Sequence, residues 1–183
     1  GDGVGDNSDE FPNIADESID SDGDGVGDNS DMFPSNPDQT IDSDGDGYGD
    51  NPDGQDGDIY PTDGSQWADT DRDGYGDNPQ GTLADGCPLV NGFSTKDRYG
   101  CPDGDLDGYS DPDQNWTSQQ GADALPDMIS QWSDGDGDGF GDNATGLMPD
   151  KCPTKPGTST KAWLPDPTDP LQNTELESFG CED

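Results

Sequence analysis

The pattern Asp-x-Asp-x-Asp-Gly-x-x-Asp recurs in this chain at Asp20, Asp42, Asp69, Asp103 and Asp134, reading DSDGDGVGD, DSDGDGYGD, DTDRDGYGD, DGDLDGYSD and DGDGDGFGD. Carboxylates at this density cannot line an apolar core. Glycine at position 6 permits a sharp turn, so the acids at positions 1, 3 and 5 converge on one side of a curled backbone and position 7 offers its carbonyl. The expectation is a repeated cage of hard oxygen ligands. Helical and strand periodicities are both absent beyond a few positions, and 28 Gly with 16 Pro would interrupt any long element. The predicted fold is therefore an irregular, cation-stabilised repeat array, elongated and without a conventional hydrophobic core. Residues 171–178 are the longest helix-tolerant piece, too short to stand alone.

The candidate ligands follow from the register. In the first complete copy they are Asp20, Asp22, Asp24, the Val26 carbonyl, Asp28 and, at position 12, Asp31. The second supplies Asp42, Asp44, Asp46, the Tyr48 carbonyl, Asp50 and Asp53, the third Asp69, Asp71, Asp73, the Tyr75 carbonyl and Asp77. The fourth supplies Asp103, Asp105, Asp107, the Tyr109 carbonyl and Asp111, the fifth Asp134, Asp136, Asp138, the Phe140 carbonyl and Asp142. Residues 1–7 match only the second half of the pattern, giving Asp2, Asp6 and Asp9, and Asp183 matches the first ligand of a further copy.

A second element follows each loop: an acid, any residue, an anchor, then proline. It reads Asp9-Glu-Phe11-Pro12, Asp31-Met-Phe33-Pro34, Asp58-Ile-Tyr60-Pro61, Asp85-Gly-Cys87-Pro88, Asp123-Ala-Leu125-Pro126 and Asp150-Lys-Cys152-Pro153. The third position is expected to point inward. Position 12 is Gln80, Gln114 or Thr145 in the last three loops, which leaves Asp85, Asp123 and Asp150 to close those sites from across an insert, with Asp58 their counterpart in the copy at Asp42. A third element, Gln39, Gln66 or Gln131 with Glu17 at the matching place, precedes a loop by three residues. These periods divide the chain into a partial repeat 1–19 and repeats 20–41, 42–68, 69–102, 103–133 and 134–183, the last including the start of another copy.

Charge decides which ion and which partners. With 44 acids, 6 basic residues and no histidine the formal net charge is −38, and only 24% of residues are apolar. Such a chain repels nucleic-acid phosphates and anionic lipid, and it lacks the commonest general base. No apolar run approaches a membrane span or signal peptide. A non-enzymatic protein is expected. All-oxygen ligands disfavour zinc, copper and iron, and magnesium would keep its waters, so Ca2+ is the implied ion. One divalent ion among five carboxylates leaves a local charge of −3. About two ions per complete repeat would neutralise about 20 negative charges. EF-hand loops share the first six positions but want an apolar position 8 and a following helix; here position 8 is glycine in four copies and Ser110 in the fourth loop.

The DxDxDGxGDN strings, the Asp-x-Cys-Pro elements at residues 85–88 and 150–153 and the acid-x-Phe-Pro variants resemble thrombospondin type 3 repeats of microbial surface proteins, over nearly the whole chain. The resemblance implies calcium wrapped by each repeat with little regular secondary structure.

The parallel segments following Cys87 and Cys152, each running through Ser-Thr-Lys to Gly-Cys, pair Cys87 with Cys101 and Cys152 with Cys181. Lacking any Cys-x-x-Cys spacing, the four cysteines read as disulfides rather than a zinc site, which places the chain outside the cell. Five of the six basic residues, Lys96, Arg98, Lys151, Lys155 and Lys161, sit by these loops and relieve local charge. Asn115 and Asn143 open glycosylation sequons, and Thr158, Ser159 and Thr160 form a patch for O-linked sugar. The position-7 aromatics and Trp67, Trp116, Trp132 and Trp163 are expected to cap their own repeats. The resulting expectation is an extracellular calcium-binding spacer or filament-forming segment whose partners are calcium, other copies of itself and adjoining repeats. The alternative is a calcium-dependent adhesin that binds glycans through its exposed aromatics.

Overall fold

In a computed structural model, described here for residues 10–14, 16–158 and 179–181, each loop curls because its own carboxylates hold it. The position-1 acid accepts the N–H of position 4 on Oδ1 and that of position 6 on Oδ2, as Gly23 (2.7 Å) and Gly25 (2.9 Å) do with Asp20. The same two bonds recur in the other four loops. Both donor positions are left-handed, with φ of 83° at Gly23 and 98° at Gly25. Arg72 and Leu106 adopt the same turn at φ 65° and 64°, which costs an L-residue about 1–2 kcal/mol.

The loop is shut by backbone. Asp28, Asp50, Asp77, Asp111 and Asp142, at position 9, each donate N–H to the residue just before their loop, at 2.7–2.9 Å. The acid of each Pro element then donates to the carbonyl of position 8: Asp31 to Gly27, Asp58 to Gly49, Asp85 to Gly76, Asp123 to Ser110 and Asp150 to Gly141, again at 2.7–2.9 Å. Where an eight-residue spacer intervenes, this contact is an isolated parallel bridge, at Gly49–Gly57, Gly76–Ala84 and Gly141–Pro149. The sole helix among the described residues is a 3-10 turn, Ser118–Gln120, in the longest insert. An irregular fold with almost no regular secondary structure is what the glycine and proline content predicts; residues 171–178 lie outside the described set.

The interior is polar. Gln39, Gln66, Gln131, Asp58 and Asp123 are among the largest fully buried side chains, and the buried apolar residues among those described are Cys101, Ala122, Phe140 and Phe179. Phe33, Tyr60, Cys87, Leu125 and Cys152 are only half-buried; the inward-pointing residue of these five Pro elements is the acid. The anchor's N–H donates to Oδ1 of that acid at 2.6–2.7 Å, a local turn that turns the carboxylate toward the loop.

The three buried glutamines act as plugs. Gln66 Nε2 donates to the carbonyls of Asn78 and Thr82, both at 3.1 Å, while Oε1 accepts Asn78 N–H at 3.0 Å. Gln39 and Gln131 repeat this with Asn51 and Gln55, and with Asn143 and Leu147. A Cβ on Gly49, Gly76 or Gly141 would lie 2.1 Å from the plug's Oε1, which is why position 8 is glycine there. Glu17 occupies the place in the copy whose spacer is short. It meets only donors, Asn29 N–H and Ser30 Oγ.

The chain divides into two units, Gly1–Pro88 and Leu89–Asp183, with the division falling inside the repeat read as 69–102. The first holds the loops at Asp20, Asp42 and Asp69, the second those at Asp103 and Asp134. Within each unit, successive repeats are joined by the plugs. Tyr48 stacks on Trp67 at 5.1 Å and Tyr109 on Trp132 at 5.4 Å, so each of these position-7 rings packs on a tryptophan of its own repeat.

Candidate metal centres

Each loop gathers one carboxylate oxygen from positions 1, 3 and 5 to within 4.8 Å of one another: Asp20, Asp22 and Asp24; Asp42, Asp44 and Asp46; Asp69, Asp71 and Asp73; Asp103, Asp105 and Asp107; Asp134, Asp136 and Asp138. The position-5 acid is oriented by the N–H of position 7, from Val26 (2.7 Å) to Phe140 (3.0 Å), so Tyr48, Tyr75 and Tyr109 hold the cage through their backbones. The closing acids Asp31, Asp58, Asp85, Asp123 and Asp150 are all buried, at 8, 1, 6, 0 and 7% exposure respectively. Asp58 feels Asp46, Asp44 and Asp50, and Asp123 feels Asp107, Asp105 and Asp111, so the acid from across the insert faces its own loop.

One feature distinguishes this from a solvated acidic surface. Oδ2 of each of the five closing acids is buried and accepts no hydrogen bond, and the same holds for Oδ2 of Asp22, Asp24, Asp44, Asp46 and Asp107. Buried carboxylate oxygens facing like charge are costly unless something positive lies between them. Burial, reinforced by the neighbouring acids, pushes the carboxyls of Asp85 and Asp123 up to about 6, and those of Asp22, Asp44, Asp58, Asp105, Asp107, Asp136 and Asp150 upward too. These clusters could hold a metal ion, and the donor set is oxygen alone.

The ion-free fold therefore binds more protons than the unfolded chain. In chelator its stability should be highest in acid and fall as pH rises through about 6, because a raised carboxyl favours the folded state only while protonated. Circular dichroism in chelator at about pH 5 and about pH 7.5 checks this through the structure that survives ion removal; more retained structure at the upper pH would contradict it.

Comparison with known proteins adds no relative: no protein-family model and no curated protein matches the chain. The cages are thus read from their own geometry.

The remaining residues fall as follows. Asp28, Asp50 and Asp77 accept both the N–H and the hydroxyl of Ser21, Ser43 and Thr70. Asp111 accepts Gly104 N–H, and Asp142 the Ser133 hydroxyl at 2.7 Å. Asp53 is exposed, whereas Asp58 occupies the buried closing position of the same loop. Asp2, Asp6, Asp9, Lys161, Trp163 and Asp183 lie outside the described residues, as do Ser159 and Thr160 of the O-linked patch.

Sequence reasoning noticed the recurrent glutamines without a role for them, and it missed Asp97. In the loop at Asp103 the plug is absent and position 8 is Ser110, whose N–H and hydroxyl both donate to Asp97 (2.8 and 2.6 Å). Trp116 Nε1 donates to the same carboxylate at 2.9 Å, and Arg98 bridges Ser110 Oγ and Asp113. Serine in place of glycine was the available signal. Lys96 donates to the Asp107 carbonyl beside the cage.

Cys152 is bonded to Cys181, Cys87 and Cys101 are disulfide-bonded too, and none of the four is free. Disulfides fit an oxidising, extracellular environment. No helix among the described residues is long and apolar enough to cross a membrane. Asn115 is exposed, but Asn143 spends its amide on the plug, donating to the Ser130 carbonyl at 2.8 Å and accepting from Thr145.

Proposed function

We propose that this chain is a non-enzymatic, calcium-binding structural repeat protein of the cell exterior, an elongated spacer or filament segment whose repeats are ordered by bound ions. The observation carrying this reading is the buried, unpartnered Oδ2 of all five closing acids, each facing the acids of its own loop. Calcium suits flexible all-oxygen sites of six to eight ligands, and the motif-level resemblance to thrombospondin type 3 repeats supports the same ion. About two ions per repeat relieve the charge best. Folding and ion uptake are then one event, as a fold with four buried apolar side chains among the described residues has little else to hold it.

The test is small-angle scattering with circular dichroism, in millimolar calcium and after chelation. The expected result is an elongated particle that becomes an expanded coil when the ion is removed and recovers when it is restored. Dimensions indifferent to chelator would end this reading.

A further inference from the structure

The longest insert does more than close its cage. Its 3-10 turn, Ser118–Gln120, is pinned by Gln120 Oε1 accepting from Thr117 N–H (3.1 Å) and Oγ1 (3.0 Å). The turn walls a cavity of about 380 Å³ with the stacked Tyr109 and Trp132, buried Ala122, and Ser118, Gln119 and Asp134 among its lining. The Ser118 hydroxyl and Gln119 amide are exposed and hydrogen-bond to no other described residue. An aromatic surface beside uncommitted neutral hydrogen-bonding groups, at the small end of the size range of ligand pockets, is a recognition surface for a small amphipathic ring.

Charge narrows the ligand. A net charge of −38 disfavours anions. The aromatic pair already has its cation, since Lys96 Nζ lies 4.8 Å from the Tyr109 centroid and 5.3 Å from that of Trp132, which argues against an organic ammonium. Asp134, the one carboxylate in the lining, accepts from Gly137 (2.7 Å) and Gly139 (2.8 Å) and belongs to the fifth cage. What remains is neutral. We propose that this cavity is a binding subsite for a neutral pyranose, with an apolar ring face against the Tyr109 and Trp132 rings and hydroxyls met by Ser118 and Gln119. That the Asp134 carboxylate is met by an ion rather than by the ligand rests on the calcium reading above.

The experiment is saturation-transfer NMR on the full chain in millimolar calcium, with methyl glycosides of neutral hexoses as probes and choline as a comparison. Millimolar binding is expected, weakened at least several-fold by Gln119→Ala and by Trp132→Ala and unchanged by Trp67→Ala, which removes the corresponding stack that has no 3-10 turn beside it. Gln119 is exposed, so that variant tests the site even if Trp132→Ala disturbs packing. Calcium uptake is measured on every sample. Loss of uptake in the unaltered chain defeats the calcium reading. Normal uptake with no hexoside binding, with binding insensitive to Gln119→Ala, or with choline preferred, overturns the sugar site alone.

Discussion

Replacing Gln66 by leucine in the calcium-loaded protein is expected to lower its stability by about 3–5 kcal/mol. Leucine is similar in size but strands the Asn78 and Thr82 carbonyls and the Asn78 N–H that the amide now satisfies. Each buried polar group left unpaired costs about 1–3 kcal/mol. Gln66→Glu should be nearly as damaging, because a carboxylate has nothing to donate to two carbonyls. Glu17→Gln should be mild, since its site offers donors only, to which a glutamine oxygen can still respond. Chemical denaturation of the three variants, with exposed Gln80→Ala as control, gives the comparison. Equal midpoints for Gln66→Leu and the control would mean that the plugs do not hold successive repeats together.

Opening the Cys152–Cys181 bond by paired serine substitution should lower stability by about 2–4 kcal/mol and cost the fifth cage at least tenfold in calcium affinity, leaving the loops of the first unit unchanged. The bond does more than close a ring of sequence separation 29. It returns the chain to the cage, where Phe179 accepts Lys151 N–H at 3.0 Å and packs on Phe140, with ring centroids 5.7 Å apart. Gly157 N–H, on the same covalent loop, donates to Asp138 Oδ2 at 2.8 Å. Gly180 lies so close to the closing acid that an added Cβ would stand 2.1 Å from Asp150 Oδ1. Two acids of one site thus depend on backbone held in place by a covalent link. Calorimetric calcium titration of the unaltered chain and of the paired serine variant measures the effect, and an unchanged isotherm would refute it.

The cages were legible because ligand chemistry is local: Asp20, Asp22 and Asp24 stand within five residues, and their glycines give the turn. The closing acids were legible through the neighbouring proline, although Asp53, at the expected offset, competes with Asp58 until the bridge between Gly49 and Gly57 places the latter. The glutamines stood out only as a recurrence. Their partners lie 12 and 16 residues away and are backbone carbonyls, which leave no trace in side-chain composition. The anchors misled for a related reason. Phe33 and Tyr60 look like core residues, yet in a chain this acidic the deepest positions go to groups that face a cage or satisfy backbone.

The bond from each closing acid to the position-8 carbonyl spans three, eight or twelve residues without changing its length by more than 0.2 Å. The length of the spacer is thereby separable from the closing contact. A longer or shorter peptide can stand between them while that contact stays as it was, provided it still returns what the spacer gives its neighbours: a carbonyl to the plug at Gln55, Thr82 or Leu147, and Asp113 and Trp116 to Arg98 and Asp97 in the long insert.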